Sequence, residues 1–457
     1  MRVMRIIVLV GLTAASPAAW AGAQSSAAPR PGAGGLSVEQ IRADIAAFRT
    51  GFMARDNSYS PAARAQAEAR LVRLEAAAAQ LTPVAFDIAI AQIVALADNG
   101  HTGAFAAQRG FRHNRVPIRV TPFADGFRVL RAKTATADLL GAKLIAIDGR
   151  RIEQVRDSAR TLAGGTAARR DRSANFLMES PAQLHALGLA SSAESALFTF
   201  ELINGVRVER RLTAEPAGAD ASRLNADRWF FTELLPEPSR EWQALAIAGA
   251  APWWLQEPSV PFRWRAAPEL DGVVIQLRRT FNAPGQSITE FFALMTQRLT
   301  ADRSRNLVLD MRLNGGGNLN TARDFVKSLP GLVTGRIFVL TDPWTFSAAI
   351  SSIGYLEQTA PERVTIVGEE VGDRLEFWAE GGPFTLPNSG IQISISTERH
   401  DYQNGCRAFT DCHGPVMRNP IAVPTLAPDI KVPLTIEAYR AGRDPALAAV
   451  ATALGRR

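Results

Sequence analysis

Helical periodicity of apolar residues dominates the chain from residue 37 to residue 105. Ser37 followed three residues later by Gln40 predicts a capping box at the start of a first helix. A second helix is predicted in the alanine-rich run "AARAQAEARLVRLEAAAAQL". A third helix is predicted to begin at Thr82 and Pro83, which are typical of an N-cap and a first helical residue. The segment "DNGHTG" contains the stop signal of this third helix. We therefore predict an N-terminal helical region over 37–105.

The period of the pattern changes to two between residues 115 and 215. Short alternating runs such as "VPIRVTPF", "DGFRVLRA" and "GAKLIAIDGRRI" are separated by turn residues. The asparagine-glycine pair in "ALFTFELINGVRVERRL" lies between two alternating runs, which predicts a β-hairpin. This pattern indicates a small β-rich module over 115–215. The following stretch, 218–268, is rich in proline and tryptophan and is predicted to be a packed connector.

Strand-like and helix-like segments then alternate through residues 269–440. Buried-strand runs "GVVIQLRR", "NLVLDMR", "RIFVL" and "RVTIVG" are separated by amphipathic runs such as "ITEFFALMTQRLTADR" and "SAAISSIGYLEQ". Such alternation is typical of βα units with parallel strands and right-handed crossovers. We predict an α/β core over 269–440, followed by a C-terminal tail over 441–457.

The extreme N-terminus is unlike a folded domain. Arg2 and Arg5 precede the short apolar run "IIVLVGL", and small residues suited to cleavage follow. This arrangement predicts a secretory signal peptide over 1–23 and a linker over 24–36, with an uncleaved anchor as the alternative. No later stretch has about 18 consecutive apolar residues. We therefore expect a periplasmic or secreted protein without stable membrane insertion.

The formal net charge of +7 is carried almost wholly by arginine. The lysines that we find are Lys133, Lys143, Lys327 and Lys431. Basic residues form no aromatic-interleaved stripe and no helix-turn-helix spacing, so the pattern does not favour a nucleic-acid partner.

Two cysteines, Cys406 and Cys412, lie six residues apart in "CRAFTDCH". In an oxidising compartment a local disulfide is the expected use of this pair. His400 and His413 flank the cysteines, which raises the alternative of a zinc site. The spacing matches no common zinc pattern, so no metal ligand is predicted.

The sequence "LNGGGN" follows a predicted core strand and contains Gly315, Gly316 and Gly317. Three glycines allow the backbone to approach a ligand closely and to direct its N–H groups at one point. The phosphate-binding alternative lacks the lysine and hydroxyl residue that follow such loops. A plain tight turn is the remaining alternative.

A second strand end carries "TDPWTFSAAIS". Thr345 is predicted as the N-cap of the next helix, which would place Ser347 in its first turn beside backbone N–H groups that lack partners. Free donors and the positive end of the helix dipole can stabilise an oxyanion on an attacked carbonyl. Ser347 is therefore a candidate nucleophile, with capping or packing as the alternative.

A nucleophilic serine needs a base, and the chain has five histidines. They are His101, His113, His185, His400 and His413. His101 in "ADNGHTGAF" follows a predicted helix end and is surrounded by small residues, so an imidazole there can be accessible and fixed in position.

Taken together, these motifs resemble the serine peptidases of the tail-specific (C-terminal processing) and tricorn-core family. The resemblance covers most of residues 37–440 and includes "DNGHTG", "LVLDMRLNGGGN", "VLTDPWTFSAA", "VTIVGEEVGD" and "LAPDIKVPL" in the family's order. It implies a crotonase-like (ClpP/crotonase-type) α/β catalytic core. The segment "LLGAKLIAIDGRRIEQV" is similar to part of a PDZ domain, which implies that the β-rich module is PDZ-like.

The family resemblance also indicates which base the serine uses. Tail-specific members place a lysine on the segment that here reads "GEEVGDRLEF" and lacks one, whereas tricorn-like members use a histidine in a motif like "DNGHTG". In tricorn a serine precedes that histidine, and here Gly100 takes its place. The candidates for the third catalytic group are Glu370, Asp373 and Asp98, and structural ion pairing is the alternative for each.

The resemblance and the chemistry together imply an exported serine endopeptidase acting on polypeptides without a cofactor. Ser347 would attack the peptide carbonyl, His101 would act as general base, and Gly315 or Gly316 with Ala348 would stabilise the oxyanion. His400 with Asp401 is an alternative base unit. A non-catalytic binding protein on the same scaffold, or a hydrolase of another ester or amide, is the alternative function.

Overall fold

The computed structural model describes residues 35–217, 226–232, 241–302 and 305–456. The predicted signal peptide and nearly all of the predicted linker lie outside these residues. Within them, no helix is both long enough and apolar enough to cross a bilayer.

The N-terminal helical region begins with three helices whose starts were predicted. Helix α1 has the capping box of Ser37 and Gln40, and α3 has Thr82 as N-cap with proline at its first position. A π-helical turn extends α1, and a short helix follows the "DNGHTG" segment. A 3₁₀ turn, Ala95–Ala97, follows α3, and the left-handed residue that ends it is Asp98 (φ 48°), the first residue of the "DNGHTG" segment. The helices are α1 Val38–Ala47, α2 Pro61–Ala76, α3 Pro83–Val94 and α4 Ala106–Arg112.

The β-rich module is a seven-stranded antiparallel sheet with the strand order β1-β2-β3-β5-β6, in which β4 pairs with β3 and β7 with β2. The predicted hairpin joins β5 to β6. The strand β7 comes from the predicted connector, which therefore contributes to the sheet. The strands are β1 Ile118–Phe123, β2 Gly126–Lys133, β3 Lys143–Ile147, β4 Arg150–Arg151, β5 Ser195–Glu201, β6 Arg207–Thr213 and β7 Trp242–Ala244.

Four helices lie between β4 and β5. They are α5 Ile152–Arg160, α6 Ala167–Arg172, α7 Asn175–Met178 and α8 Pro181–Ala186. The apolar side chains of this region and those of the N-terminal helices form one continuous core.

The α/β core has a six-stranded sheet in the order β15-β12-β11-β10-β9-β8, as the alternating pattern predicted. All neighbouring strands are parallel except β8, which pairs antiparallel with β9 at the edge. The strands are β8 Phe262–Ala267, β9 Gly272–Leu277, β10 Asn306–Asp310, β11 Ile337–Thr341, β12 Val364–Gly368 and β15 Ile430–Lys431. The crossover helices are α9 Ile288–Asp302, α10 Leu319–Leu332 and α11 Ala348–Thr359. Every residue of β10, β11 and β12 is buried, which explains why these strands are mostly apolar instead of alternating between apolar and polar residues.

A long antiparallel ribbon joins the core to the N-terminal helices. It consists of β13 Glu376–Thr385 and β14 Gln392–Asp401 and was not predicted from the sequence. Ser394 in β14 pairs with Gly103, just after the "DNGH" motif. Three helices complete the chain, α12 Gly414–Arg418, α13 Ile436–Arg440 and α14 Pro445–Ala453.

Candidate active site

Ser347 lies between β11 and α11 in a strained backbone conformation. Its φ is 56° and its ψ is −126°, and Ser347 is itself the N-cap of α11. The prediction that Thr345 caps this helix is therefore wrong, because the Thr345 hydroxyl donates to Met311 O instead (2.9 Å). A non-glycine residue in such a region costs about 1–3 kcal/mol, which the surrounding contacts must offset. Ala348 becomes the first helical residue, where an N–H has no intrahelical acceptor.

The carboxylate of Asp342 holds the Ser347 loop against the glycine loop. It accepts hydrogen bonds from Leu313 N (3.1 Å), Trp344 N (3.0 Å) and Thr345 N (2.9 Å). Burial raises the pKa of Asp342 to about 6. A further bond runs from Phe346 N to Asn314 O (2.9 Å), so the two loops are fixed relative to each other.

Gly316 lies directly against Ser347. A Cβ atom at residue 316 would come within 2.5 Å of Ser347 Cβ and 2.9 Å of Ala348 N, and the φ of Gly316 is 96°. Its N–H donates to Asn314 Oδ1 (2.9 Å), so this N–H is already bonded. Of the two predicted glycine donors, Gly315 is exposed and has open space around it.

The imidazole of His101 forms a hydrogen bond through Nδ1 with Asp373 Oδ2 (3.1 Å), and both side chains are buried. The "DNGHTG" segment is held in place by Asn99, whose side chain bonds the backbone O (2.8 Å) and N (3.0 Å) of Trp378 in β13. Within the described residues, His101 Nε2 has no hydrogen-bond partner, and thus no bond to Ser347. The Asp373 carboxylate therefore orients the His101 ring through Nδ1, while Nε2 makes no hydrogen bond within the described residues.

Gly100 makes room for the carboxylate that orients His101. A Cβ at residue 100 would lie 2.6 Å from Asp373 Oδ2. The Asp373 segment is tied to the serine loop, because Gly372 N donates to Thr345 O (2.8 Å). The absence of a side chain at residue 100 thus leaves the space that the Asp373 carboxylate occupies.

The other predicted third groups do not contact His101. Glu370 is exposed. Asp98 forms ion pairs with Arg170 and with Arg374 (2.9 Å), which is the structural role given as the alternative.

Two phenylalanine rings stack on the imidazole of His101. Phe346, the residue before Ser347, stacks on the imidazole with the ring centroids 4.2 Å apart, and Phe377 from β13 stacks at 4.9 Å. The guanidinium of Arg169 lies 3.9 Å from the Phe346 centroid, and burial holds its pKa well below the usual range. These residues were not predicted, because no local pattern marks them. The stack places the His101 imidazole against Phe346, the residue that directly precedes Ser347.

The predicted alternative base unit of His400 and Asp401 is not a hydrogen-bonded pair. His400 Nδ1 bonds the hydroxyl of Tyr402 (2.9 Å), whereas Asp401 accepts from the backbone N–H groups of Gln403 (3.0 Å) and Asn404 (2.9 Å). Burial lowers the pKa of His400. Phe377 also separates its ring from that of His101.

The two cysteines form the predicted disulfide, Cys406 to Cys412. It lies in the segment after β14, where both residues are buried.

Comparison with solved structures decides the fold. A serine-to-alanine mutant of CPAF matches with a TM-score of 0.55 at 13% identity, covering 91% of this chain and 96% of that chain. Mature CPAF complexed with lactacystin matches with a TM-score of 0.53 at 13% identity, covering 91% of this chain and 97% of that one. The chain has the fold of CPAF. The photosystem II D1 C-terminal processing protease is also similar, at 15% identity with 92% and 98% coverage, but its TM-score of 0.37 supports no argument.

CPAF is a tail-specific-type serine peptidase, so the resemblance found in the motifs is confirmed as a likeness of fold. No protein-family model matches the sequence, and no curated protein matches it.

Proposed function

We propose that this protein is a serine peptidase in which Ser347 is the nucleophile, His101 the general base and Asp373 the group that orients His101. The observation that carries the proposal is the convergence of four chain segments on one place. The strained serine begins a helix, the glycine loop packs against it, and a carboxylate-bound imidazole stacks on the preceding residue.

The proton path follows from the bonding of His101. Asp373 fixes Nδ1 as the protonated nitrogen, which leaves the lone pair on Nε2 to accept the serine proton. Nε2 has no partner within the described residues, and hydrogen bonds between nucleophile and base are often long before substrate binds. On substrate binding, Ser347 Oγ would come within hydrogen-bond reach of Nε2 to complete the pair.

The oxyanion would be bound by the N–H groups of Gly315 and Ala348. Gly316 N–H is engaged by Asn314, so its role is to let the loop approach the serine rather than to donate. The positive end of the α11 dipole adds to the stabilisation of the developing charge.

The substrate class is a polypeptide, and we propose an exported enzyme acting in the periplasm or outside the cell. Support comes from the fold shared with CPAF and from the predicted signal peptide. The disulfide fits an oxidising compartment. In the PDZ-like module that we propose for residues 115–215, a sheet edge would bind the extended substrate by strand addition.

Replacement of the nucleophile tests the proposal. Ser347→Ala should abolish hydrolysis of an unfolded polypeptide such as casein, while thermal unfolding stays normal because the Ser347 side chain makes no capping hydrogen bond. Ser352→Ala, on the same helix but bonded only to Ala348 O (2.8 Å), is the matched control and should keep turnover. Unchanged turnover in a folded Ser347→Ala variant would refute the assignment.

A further inference from the structure

Three potential metal ligands meet on the ribbon outside the candidate active site. Glu380 lies on β13, His400 on β14, and His413 follows the disulfide. One donor atom from each, two imidazole nitrogens and one carboxylate oxygen, lies within 4.8 Å of the others. His400 is buried, His413 is partly buried and Glu380 is exposed, so the cluster has a route to solvent.

A local irregularity of the strand directs Glu380 towards the histidines. The register between β13 and β14 shifts on both sides of Glu380, and its φ is 70°. Bulges of this kind re-aim side chains, and a non-glycine residue with positive φ costs free energy that other interactions must offset. The result is an ion-pair distance of 3.4 Å between Glu380 Oε1 and His400 Nε2.

The position of His413 is fixed by backbone pairing and by the neighbouring disulfide. His413 N donates to Arg399 O (2.8 Å), and Arg399 N donates to Asp411 O (2.9 Å). The imidazole stacks against that of His400 with the centroids 5.0 Å apart. The disulfide removes both thiols from metal binding, so a site here must use carboxylate and imidazole donors.

Each histidine uses one ring nitrogen for an orienting hydrogen bond. His413 Nδ1 bonds Glu398 Oε2 (2.6 Å). His400 Nδ1 bonds the Tyr402 hydroxyl (2.9 Å), which in turn contacts Ser351 Oγ (2.6 Å). Histidine ligands of metals are typically held in this way, because the second bond fixes the tautomer and the ring orientation.

The remaining nitrogen of His400 is the strongest single indication of a ligand. His400 is only 2% exposed, and its Nε2 has no hydrogen-bond partner with adequate geometry in the part of the chain that the structure describes. A buried nitrogen without a partner is rare and costs free energy. It faces the carboxylate of Glu380, and a cation between the two would satisfy both.

We propose that Glu380, His400 and His413 bind a Zn²⁺ ion, with water completing the coordination. Imidazole with a carboxylate suits zinc, whereas Mg²⁺ and Ca²⁺ prefer oxygen ligands alone. Tetrahedral coordination with bonds of about 2.1 Å places donors about 3.4 Å apart. Glu380 Oε1 and His400 Nε2 already have this separation, at 3.4 Å, and the other donor distances, all within 4.8 Å, would contract by at most about 1.4 Å.

The proposed site is separate from the candidate catalytic group and does not depend on the peptidase proposal. The Phe377 ring lies between them, with its centroid 4.7 Å from that of His400 and 4.9 Å from that of His101. Metal binding can therefore be measured whether or not the chain hydrolyses peptides.

Titration calorimetry of the full chain with Zn²⁺ tests the proposal, using Glu380→Gln and His413→Gln as variants at accessible positions. His185→Gln is the matched control, because His185 is exposed and bonds only Ala190 O (3.0 Å). We expect one Zn²⁺ per chain, affinity weakened at least about tenfold in both site variants and unchanged in the control. Co²⁺ should give a visible spectrum typical of four-coordinate metal, lost in His413→Gln, and excess Mg²⁺ should not compete. Zinc affinity unchanged in both folded site variants, or weakened equally in the control, would overturn the proposal.

Discussion

Gly316 offers a sharp test of how the candidate active site is built. Replacement by alanine retains every backbone N–H group and adds one methyl group. That Cβ would lie 2.5 Å from Ser347 Cβ, 2.7 Å from Phe346 O and 2.9 Å from Ala348 N. Ordinary carbon contacts lie at about 3.5–4.0 Å, so the glycine loop and the serine loop must separate by about 1 Å.

The magnitude of the effect follows from two separate costs. The φ of Gly316 is 96°, where an L-residue costs about 1–2 kcal/mol, and this cost lowers the free energy of unfolding. A displacement of about 1 Å at a catalytic group lowers turnover by about a hundredfold. We therefore expect Gly316→Ala to remain folded, with a somewhat lower melting temperature, and to lose at least about 99% of kcat.

Gly315→Ala is the matched control on the adjacent residue. Its Cβ would have no neighbour within 4 Å, and its φ is not in the positive range. Steady-state hydrolysis of a fluorogenic peptide by both variants, with circular dichroism to verify folding, makes the comparison. We expect kcat of Gly315→Ala within a few-fold of the parent. Equal kcat values for the two variants would refute the reasoning.

Three further predictions concern Gly100, Glu369 and the disulfide. Gly100→Ala would place a Cβ 2.6 Å from Asp373 Oδ2. We therefore expect kcat to fall at least about tenfold with little change in KM. An unchanged kcat would contradict the role of the close approach between Gly100 and Asp373. Burial, together with the charge of Asp342, raises the pKa of Glu369 to about 7 from an ordinary 4.5. The folded state therefore binds more protons than the unfolded state between those pH values, and the free energy of unfolding falls as the pH rises through them, by up to about 3 kcal/mol from this group. Denaturant titrations at pH 5 and pH 8 should show this fall reduced in Glu369→Gln, and an equal fall in both proteins would contradict it. Replacing Cys406 and Cys412 together by serine removes the disulfide, which closes a loop with a sequence separation of 6. We expect the free energy of unfolding to fall by about 2 kcal/mol. An unchanged denaturant midpoint would exclude a stabilising disulfide.

Local chemistry was sufficient to predict the helix starts and the core strands. The capping box at Ser37 depends only on residues within one turn, and the buried runs of β10 to β12 reflect burial on both faces of a parallel sheet. The glycine loop and Ser347 were predicted because each follows such a strand, where α/β proteins place their sites.

Contacts between distant segments could not be predicted in the same way. The bond between His101 and Asp373 joins residues 272 positions apart, and the sequence left three acids as candidates for the third catalytic group. The N-cap of α11 was misplaced by two residues because the Thr345 hydroxyl bonds another strand end rather than its own helix. Glu380 reaches His400 only through a strand irregularity that has no clear sequence signal.

The central claim is that Ser347 is activated by His101. Incubation of the intact protein with a fluorophosphonate probe, followed by mass spectrometry of its peptides, tests this claim most directly. We predict a single covalent adduct on Ser347, formed by the parent protein and lost in folded His101→Gln. A chain that stays unlabelled, or that is labelled equally without the imidazole, would contradict the claim, and the first of these results would favour a binding protein on this scaffold.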